Sequence, residues 1–129
     1  MVRLLWVENH AVFARMAGQQ FLAGHELTVV PSLALARETL AALTFDAVLL
    51  DYDLDDGKGA SLVAFIRQLP TVPVVVATSA HEDGNRFLLA AGADAACPKG
   101  RFAEISVVLA RLVAARGHAE SAPTERPRE

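Results

Sequence analysis

The sequence predicts an α/β fold in which a parallel sheet of five strands carries helices on both faces. Five short apolar runs, rich in β-branched residues, alternate with five segments of helical period. The runs are apolar throughout, which is typical of strands buried on both faces. The 129 residues, of which 53% are hydrophobic, suffice for one core and are too few for two. These observations together indicate a doubly wound parallel sheet.

The predicted strands are short and are bounded by turn residues or by charges. They cover residues 2–7, 27–31, 47–50, 74–77 and 93–97. The third run is continuous from Ala47 to Leu50 and ends at Asp51, the fourth follows Pro73, and the fifth is the weakest. Each run therefore has the length expected of one buried strand.

The first two helices are predicted from the spacing of apolar residues and from capping residues. One face of the first helix is expected to hold Val12, Met16 and Phe21. Gly24 is expected to stop this helix, and Ser32 to be the N-cap of the second. The apolar side of the second helix is expected to hold Leu33, Ala36, Leu40 and Leu43.

Three more helices follow. A break at Gly57-Lys58-Gly59 precedes a helix over 61–69, and a helix over 82–91, which contains Gly84, ends at Gly92. The last predicted helix covers 101–116. Its inward positions are expected to be Phe102, Ile105, Val108, Leu109 and Leu112.

Composition narrows the possible functions. The net charge of −3 argues against a nucleic-acid binder, and no apolar run reaches the ~18–20 residues of a membrane span. The apolar run before Glu8 is too short for a signal peptide. The single cysteine, Cys97, fits a reducing compartment, so a cytoplasmic location is expected. Residues 1–116 are expected to form one domain, with 117–129 as a polar tail or linker.

Polar residues follow the predicted strands at the edge where open α/β sheets bind ligands. Glu8 and Asn9 follow the first strand, Asp51 the third, Thr78 the fourth and Lys99 the fifth. They are expected to meet, because parallel strands end at one edge. Carboxylates suit Mg²⁺, and an Asp carboxylate can attack phosphorus to form an aspartyl phosphate. Lys99 and Thr78 would then hold the phosphoryl oxygens by charge and hydrogen bond.

Four motifs, in order, resemble those of the receiver domain of bacterial two-component response regulators. They are Val7-Glu8-Asn9-His10, the segment 51–59 around Asp51, the segment 73–78, and Ala91-Gly92-Ala93-Asp94 leading to Lys99-Gly100. The likeness covers roughly residues 1–116. It implies a flavodoxin-like fold with strand order 2-1-3-4-5, and a protein that acts as a switch and not as an enzyme.

The resemblance also implies roles for these residues. Asp51 would be the phosphoacceptor, Thr78 the switch hydroxyl and Lys99 the phosphate-pairing lysine. The Mg²⁺ site would consist of Glu8, Asn9, Asp51 and the backbone carbonyl of Asp53. The donor would be a phosphohistidine on a histidine kinase or phosphotransfer protein. The switch would act on an output domain or a downstream protein.

The sequence departs from the family pattern at three places. Asn9 stands where a second acid is usual, which predicts weaker Mg²⁺ binding unless Asp53 or Asp55 compensates. Ala96 replaces the usual aromatic residue of the fifth strand, and Gly100 replaces the proline after the lysine. Thr78 has a neighbour, Ser79, that could supply the hydroxyl in its place.

Four other residues are given positions without a role in the chemistry. His10 and His81 are expected at the surface near the site and not as metal ligands. Trp6 and Cys97 are expected in the core.

Two other functions stay open at this point. A receiver-like interaction module that does not use phosphorylation would account for Asn9 and Ala96. A phosphohydrolase of the haloacid dehalogenase type is suggested by Asp51-Tyr52-Asp53, with Thr78 and Lys99 as its later motifs. That family needs an acidic pair downstream, and beyond Lys99 only Glu104 precedes the tail. Its nucleophile also normally lies on the first strand of the domain.

Overall fold

A central parallel sheet with helices on both faces forms the protein, in a computed structural model that describes residues 2–121. The strands are β1 (Arg3–Val7), β2 (Glu26–Val30), β3 (Ala47–Leu50), β4 (Asp53–Leu54), β5 (Gly57–Lys58), β6 (Val74–Ala77) and β7 (Ala95–Ala96). The helices are α1 (Ala11–Phe21), α2 (Leu33–Ala42), α3 (Ala60–Arg67), α4 (Glu82–Ala91) and α5 (Ile105–Ser121). A 3₁₀ helix spans Lys99–Glu104. None of the described helices is long and apolar enough to cross a membrane.

The sheet has the order β2-β1-β3-β6-β7, and each neighbouring pair is parallel. Counted among the strands of this sheet alone, this is the order 2-1-3-4-5, so the predicted fold class is confirmed. Every residue of β3 and β6 is buried, whereas the edge strand β2 is largely half-buried or exposed. The uninterrupted apolar runs are thus the central strands, as expected of a sheet covered on both faces.

Two cores form because successive residues of each strand point to opposite faces. Leu5 and Val7 of β1 pack with α2, α3 and α4, whereas Leu4 and Trp6 pack with α1 and α5. The Trp6 ring stacks on Phe102, with centroids 4.8 Å apart and an interplanar angle of 10°. The expected burial of Trp6 and Cys97 is confirmed.

Helix α1 packs Phe21 against the core as predicted, but its other two predicted inward residues face outward. Val12 and Met16 are 65% and 63% exposed. The buried positions of α1 are instead Ala14, Ala17 and Gly18. The prediction was wrong at Val12 and Met16 because the helix approaches the sheet through small residues: a Cβ on Gly18 would lie 3.0 Å from Leu27 Cδ2. Close packing therefore outweighed the spacing of the larger apolar side chains.

The second helix and the segment after β3 differ from prediction in smaller ways. Leu33, Ala36 and Leu40 of α2 are buried, but the helix ends at Ala42 and leaves Leu43 48% exposed. Where a simple break was predicted, β4 and β5 form an antiparallel hairpin with Asp53 opposite Lys58. Asp55 and Asp56 form its two-residue turn, a position where aspartate is common.

The last helix differs from prediction at both ends. The 3₁₀ helix occupies the start of the predicted 101–116 segment, with non-helical dihedral angles at Arg101, so α5 begins only at Ile105. Phe102, Ile105 and Leu109 are buried as predicted. At the other end α5 continues to Ser121, into the predicted tail. Residues 122–129 lie outside the described part of the chain, so the division at residue 116 stays a prediction.

Gly59 lets the chain pass beneath Asp51, and its substitution tests this close approach. A Cβ there would lie 2.0 Å from the carbonyl oxygen of Asp51, and the Gly59 N–H is tied to Tyr52 O at 2.6 Å. We predict that Gly59→Ala lowers the free energy of unfolding by about 2 kcal/mol, because overpacking typically costs ~1–3 kcal/mol. Urea denaturation measures the change. Gly24→Ala is the control, since no atom lies within 4 Å of its Cβ position; equal midpoints for the two variants would contradict the prediction.

Candidate functional site

The carboxyl edge of the sheet brings together Glu8, Asp51 and Lys99. Glu8 is 1% exposed and Asp51 4% exposed. Lys99 Nζ lies 2.9 Å from Glu8 Oε2 and 3.4 Å from Asp51 Oδ2. Two buried carboxylates therefore share one ammonium group, at the edge where the sequence predicted them to meet.

Backbone hydrogen bonds hold these residues in place, because the parallel ladder continues one residue beyond the strands. The Asp51 N–H donates to Val7 O at 3.1 Å, and the Thr78 N–H donates to Leu50 O at 2.9 Å. The Asp51 carboxylate is oriented in turn by the N–H of Tyr52, which donates to Oδ1 at 2.8 Å. The position of Asp51 thus depends on the register of the sheet.

The two hydroxyl residues after β6 are placed differently. Thr78 is fully buried, and its Oγ1 has no hydrogen-bond partner among the described residues. Ser79 instead lines a cavity beside the acidic pair. The other residues lining that cavity are His10, Asp51, Asp53, Ala80, His81 and Lys99. Ser79 therefore lines the cavity, whereas Thr78 is buried and does not line it.

Asn85 is a site residue that sequence reasoning missed. It lies on α4, 5% exposed, and clamps the backbone of Ser79 from both sides. The Ser79 N–H donates to Asn85 Oδ1 at 2.8 Å, and Asn85 Nδ2 donates to Ser79 O at 3.0 Å. An amide inside a predicted amphipathic helix was the available signal, because a buried amide needs partners for both its oxygen and its nitrogen.

The carboxylates of the other three aspartates after β3 have partners other than Lys99, although Asp53 lines the same cavity as Asp51. Asp53 is exposed and its carboxylate pairs with Lys58. Asp55 Oδ1 accepts a hydrogen bond from Asn9 Nδ2 at 3.1 Å. Asp55 therefore lies beside Asn9.

Asp56 has a structural position at the start of α2. It accepts hydrogen bonds from the backbone N–H groups of Leu33 at 2.9 Å and Ala34 at 3.0 Å. These two bonds lower the pKa of Asp56. Ser32 caps the same helix as predicted, its Oγ accepting from the Leu35 N–H at 3.2 Å. The loop after Asp51 is thereby attached to α2.

Burial leaves Asp51 in an unfavourable electrostatic position. Desolvation and the nearby charge of Glu8 raise the pKa of Asp51 above its ordinary value of 3.8, against the opposing effects of Lys99 and the Tyr52 N–H. One ammonium group facing two carboxylates leaves a net negative charge in a poorly solvated place. A further cation would relieve this charge.

Two buried oxygen atoms without hydrogen-bond partners in the described part of the chain are suitable ligands for such a cation. Glu8 Oε1 and Asn9 Oδ1 are buried and accept no hydrogen bond from the described residues. Carboxylate and amide oxygens suit Mg²⁺, which commonly binds one or two carboxylates and keeps water or phosphate as its remaining ligands. A ligand atom of His10 lies within 4.8 Å of those of Glu8 and Asp51. His10 is at the surface near the site as expected, with its ring turned into the site.

Comparison with known proteins assigns the family. Residues 4–105 match the model of the response regulator receiver domain. The chain belongs to this family. It is 34% identical over 97 residues to the KDP operon transcriptional regulatory protein KdpE of Escherichia coli (strain K12), which is 73% of this chain and 43% of KdpE. The receiver thus spans less than half the length of this curated relative.

Solved structures show the same fold. A CheY-like receiver domain protein from Methanospirillum hungatei JF-1 superposes with a TM-score of 0.80 at 18% identity, over 91% of this chain and 97% of that one. A response regulator from Burkholderia pseudomallei, solved with a phosphorylated aspartic acid, a calcium ion and citrate, has a TM-score of 0.73 at 20% identity, over 95% and 74%. The family match confirms the receiver interpretation, in preference to the phosphohydrolase.

The stability of the receiver against pH tests the electrostatic cost of burying Asp51. Because the pKa is raised, the folded state keeps a proton that the unfolded chain has lost, so stability falls as the pH rises from about 3.8 through the folded value. We predict that Asp51→Asn, measured with a chelator present, becomes progressively more stable than the native chain across that window. Urea denaturation at a series of pH values measures the difference.

The control for this series is Asp83→Asn, which removes an exposed carboxylate that pairs with Arg86 on α4. It should show no growing advantage with pH. An Asp51→Asn advantage that stays constant or shrinks as the pH rises would contradict the prediction.

Proposed function

We propose that this receiver is a switch whose Asp51 accepts a phosphoryl group, in a Mg²⁺-dependent reaction, from a phosphohistidine on a histidine kinase or phosphotransfer protein. One observation carries the proposal. Asp51 is a buried carboxylate beside Glu8 and Lys99, and it borders a cavity open to an incoming group. The phosphorylated aspartic acid of the Burkholderia pseudomallei protein supports the same chemistry. In this role the chain is a modified switch and not an enzyme.

The transfer step follows from the orientation of Asp51. Its Oδ1 accepts the Tyr52 N–H, which leaves Oδ2, on the Lys99 side, as the attacking oxygen. The Oδ2–P bond forms as the P–N bond of the donor breaks, and the imidazole of the donor leaves with the electron pair. Lys99 then pairs with the phosphoryl oxygens, which carry the charge that Asp51 loses.

The residues proposed to hold Mg²⁺ are Glu8, Asn9, Asp51 and the backbone carbonyl of Asp53. When bound, the ion offsets the repulsion between the carboxylate and the incoming phosphoryl group. Asn9 contributes a neutral oxygen where the family usually has an acid, and Asp55 is hydrogen-bonded to it. Magnesium affinity is therefore expected to be lower than in a receiver with two acids after β1.

The readout is proposed to run toward α4. The partnerless Oγ1 of Thr78 can donate to a phosphoryl oxygen, which would draw the segment after β6 toward Asp51. Asn85 couples that segment to α4, and Tyr52 stacks on Phe87 of the same helix with centroids 5.4 Å apart. An output domain or a downstream protein would sense the change.

Two further expectations accompany this proposal. KdpE is a transcriptional regulator, but direct nucleic-acid binding by the receiver itself is not proposed. A cytoplasmic location remains the prediction.

A receiver that binds a partner without phosphorylation is the second candidate. Two observations favour it: Asn9 brings no negative charge to the cation site, and Ala96 on β7 cannot supply the usual aromatic readout. Under this alternative the buried acidic pair has no role in phosphorylation, and the affinity for the partner does not depend on whether Asp51 is phosphorylated.

Phosphoryl acceptance is tested by intact mass. We predict that a small phosphodonor such as acetyl phosphate, with Mg²⁺, adds about 80 Da to the chain, and that Asp51→Asn abolishes the shift because the attacking carboxylate is gone. Asp83→Asn, an exposed aspartate on α4, should be modified like the native chain. No mass shift at saturating donor and Mg²⁺ would leave the phosphorylation-independent module as the better description.

Coupling to α4 is tested at Phe87, which is 55% exposed and outside the acidic site. We predict that phosphorylation changes amide hydrogen exchange in α4, and that Phe87→Ala reduces this change by about 2-fold to 10-fold, since an aromatic pair contributes ~0.5–1.5 kcal/mol. The mass shift at Asp51 should persist. Val107→Ala, which truncates a similarly exposed side chain on α5, is the control; an equal effect of the two variants would argue against a readout through Tyr52 and Phe87.

A further inference from the structure

The acidic site of this receiver contains a nitrogen ligand as well as oxygen ligands. His10 Nδ1 lies 3.0 Å from Glu8 Oε2, and ligand atoms of Glu8, His10 and Asp51 all lie within 4.8 Å of one another. Ligands at right angles on an ion with bonds of roughly 2.1 Å are about 3 Å apart. His10 Nδ1 and Glu8 Oε2 are hydrogen-bonded in the structure, at a separation that two adjacent ligands of one ion would also have.

The three atoms converge on a positive charge in the structure. Lys99 Nζ lies 2.9 Å from Glu8 Oε2, 3.4 Å from His10 Nδ1 and 3.4 Å from Asp51 Oδ2. This ammonium does not satisfy the site, because Glu8 Oε1 and Asn9 Oδ1 remain buried without partners among the described residues. Two independent observations thus indicate a cation ligand: a convergent donor set and a buried carboxylate oxygen with nothing to bind.

The three donor atoms include an imidazole nitrogen, which is a softer ligand than the oxygen atoms that Mg²⁺ prefers. Mg²⁺ prefers oxygen ligands, and its main gain in affinity comes from anionic oxygens, of which Asn9 supplies none. Imidazole nitrogen favours first-row transition ions, for which affinity at mixed N/O sites rises along the series from Mn²⁺. Exchange of a hard anionic ligand for an imidazole shifts the preference of the site away from Mg²⁺.

We propose that Glu8, His10 and Asp51 bind a divalent transition-metal ion through two carboxylate oxygens and one imidazole nitrogen, in preference to Mg²⁺. The inference rests on the proposed function for the location of the cation site, and it adds His10 as a ligand. The ion replaces the Lys99 ammonium as the centre of the three ligands, which leaves Lys99 available to the phosphoryl oxygens. The identity of the ion then sets the conditions under which Asp51 is phosphorylated.

Calorimetric titration of the untagged full chain with Zn²⁺, Mn²⁺ or Mg²⁺ tests the proposal. We expect the native chain to bind Zn²⁺ and Mn²⁺ more tightly than Mg²⁺. His10→Gln should weaken Zn²⁺ binding at least about 10-fold and Mg²⁺ binding less than about 2-fold, since only the nitrogen ligand is lost. The variant is expected to fold, because His10 is the N-cap residue of α1 but makes no side-chain capping bond; circular dichroism checks this.

His81→Gln is the matched control, because His81 lines the same cavity but is outside the ligand group. It should leave all three affinities unchanged, and Asp51→Asn should weaken all three. Zn²⁺ binding that is indifferent to His10, or equally sensitive to His81, overturns the proposal. Phosphorylation of the native chain with Mg²⁺ is read separately by mass, so a failure of the transition-metal preference and a failure of phosphoryl acceptance give different results.

Discussion

The shared ammonium group between two buried carboxylates is the interaction on which the rest of the site depends. Glu8 and Asp51 are both almost fully buried, and Lys99 is the cation that contacts both. Without it, two like charges would lie together in a poorly solvated place. Lys99 does not fully offset the burial of Asp51 and the charge of Glu8, since the pKa of Asp51 remains raised. A cation bound beside Asp51 would offset this charge.

The scaffold makes this arrangement possible by being apolar and closely packed elsewhere. Strands β3 and β6 are buried along their whole length, and the backbone ladder runs one residue further to position Asp51 and Thr78. Two cores, one on each face of the sheet, supply the burial that offsets the cost of the polar edge. The loop after Asp51 is held by Gly59 beneath it and by Asp56 at the start of α2.

Sequence patterns predicted the features that depend on adjacent residues in the chain. They failed for the features that depend on contacts between different helices and strands. The central strands and the capping of α2 by Ser32 follow from unbroken apolar runs and from a side chain that bonds its own helix. The buried face of α1 could not be predicted from Val12 and Met16, because the buried residues of this helix are the small Ala14, Ala17 and Gly18. Asn85 was missed for a related reason: its place in the site depends on its hydrogen bonds to Ser79, which belongs to another part of the chain.

By itself, the sequence determined the class of fold, the strand order through its family motifs, and the set of groups at the carboxyl edge. The fold class and the groups at the edge follow from periodicity and from where each apolar run stops, whereas the strand order is implied by the family resemblance. Only the tertiary structure decided which members of the aspartate cluster share the site. Asp51 is buried with Glu8 and Lys99, whereas Asp53 pairs with Lys58 and Asp56 caps a helix. The reason is that burial and charge pairing depend on three-dimensional neighbours, and residues two apart in a chain can face entirely different surroundings.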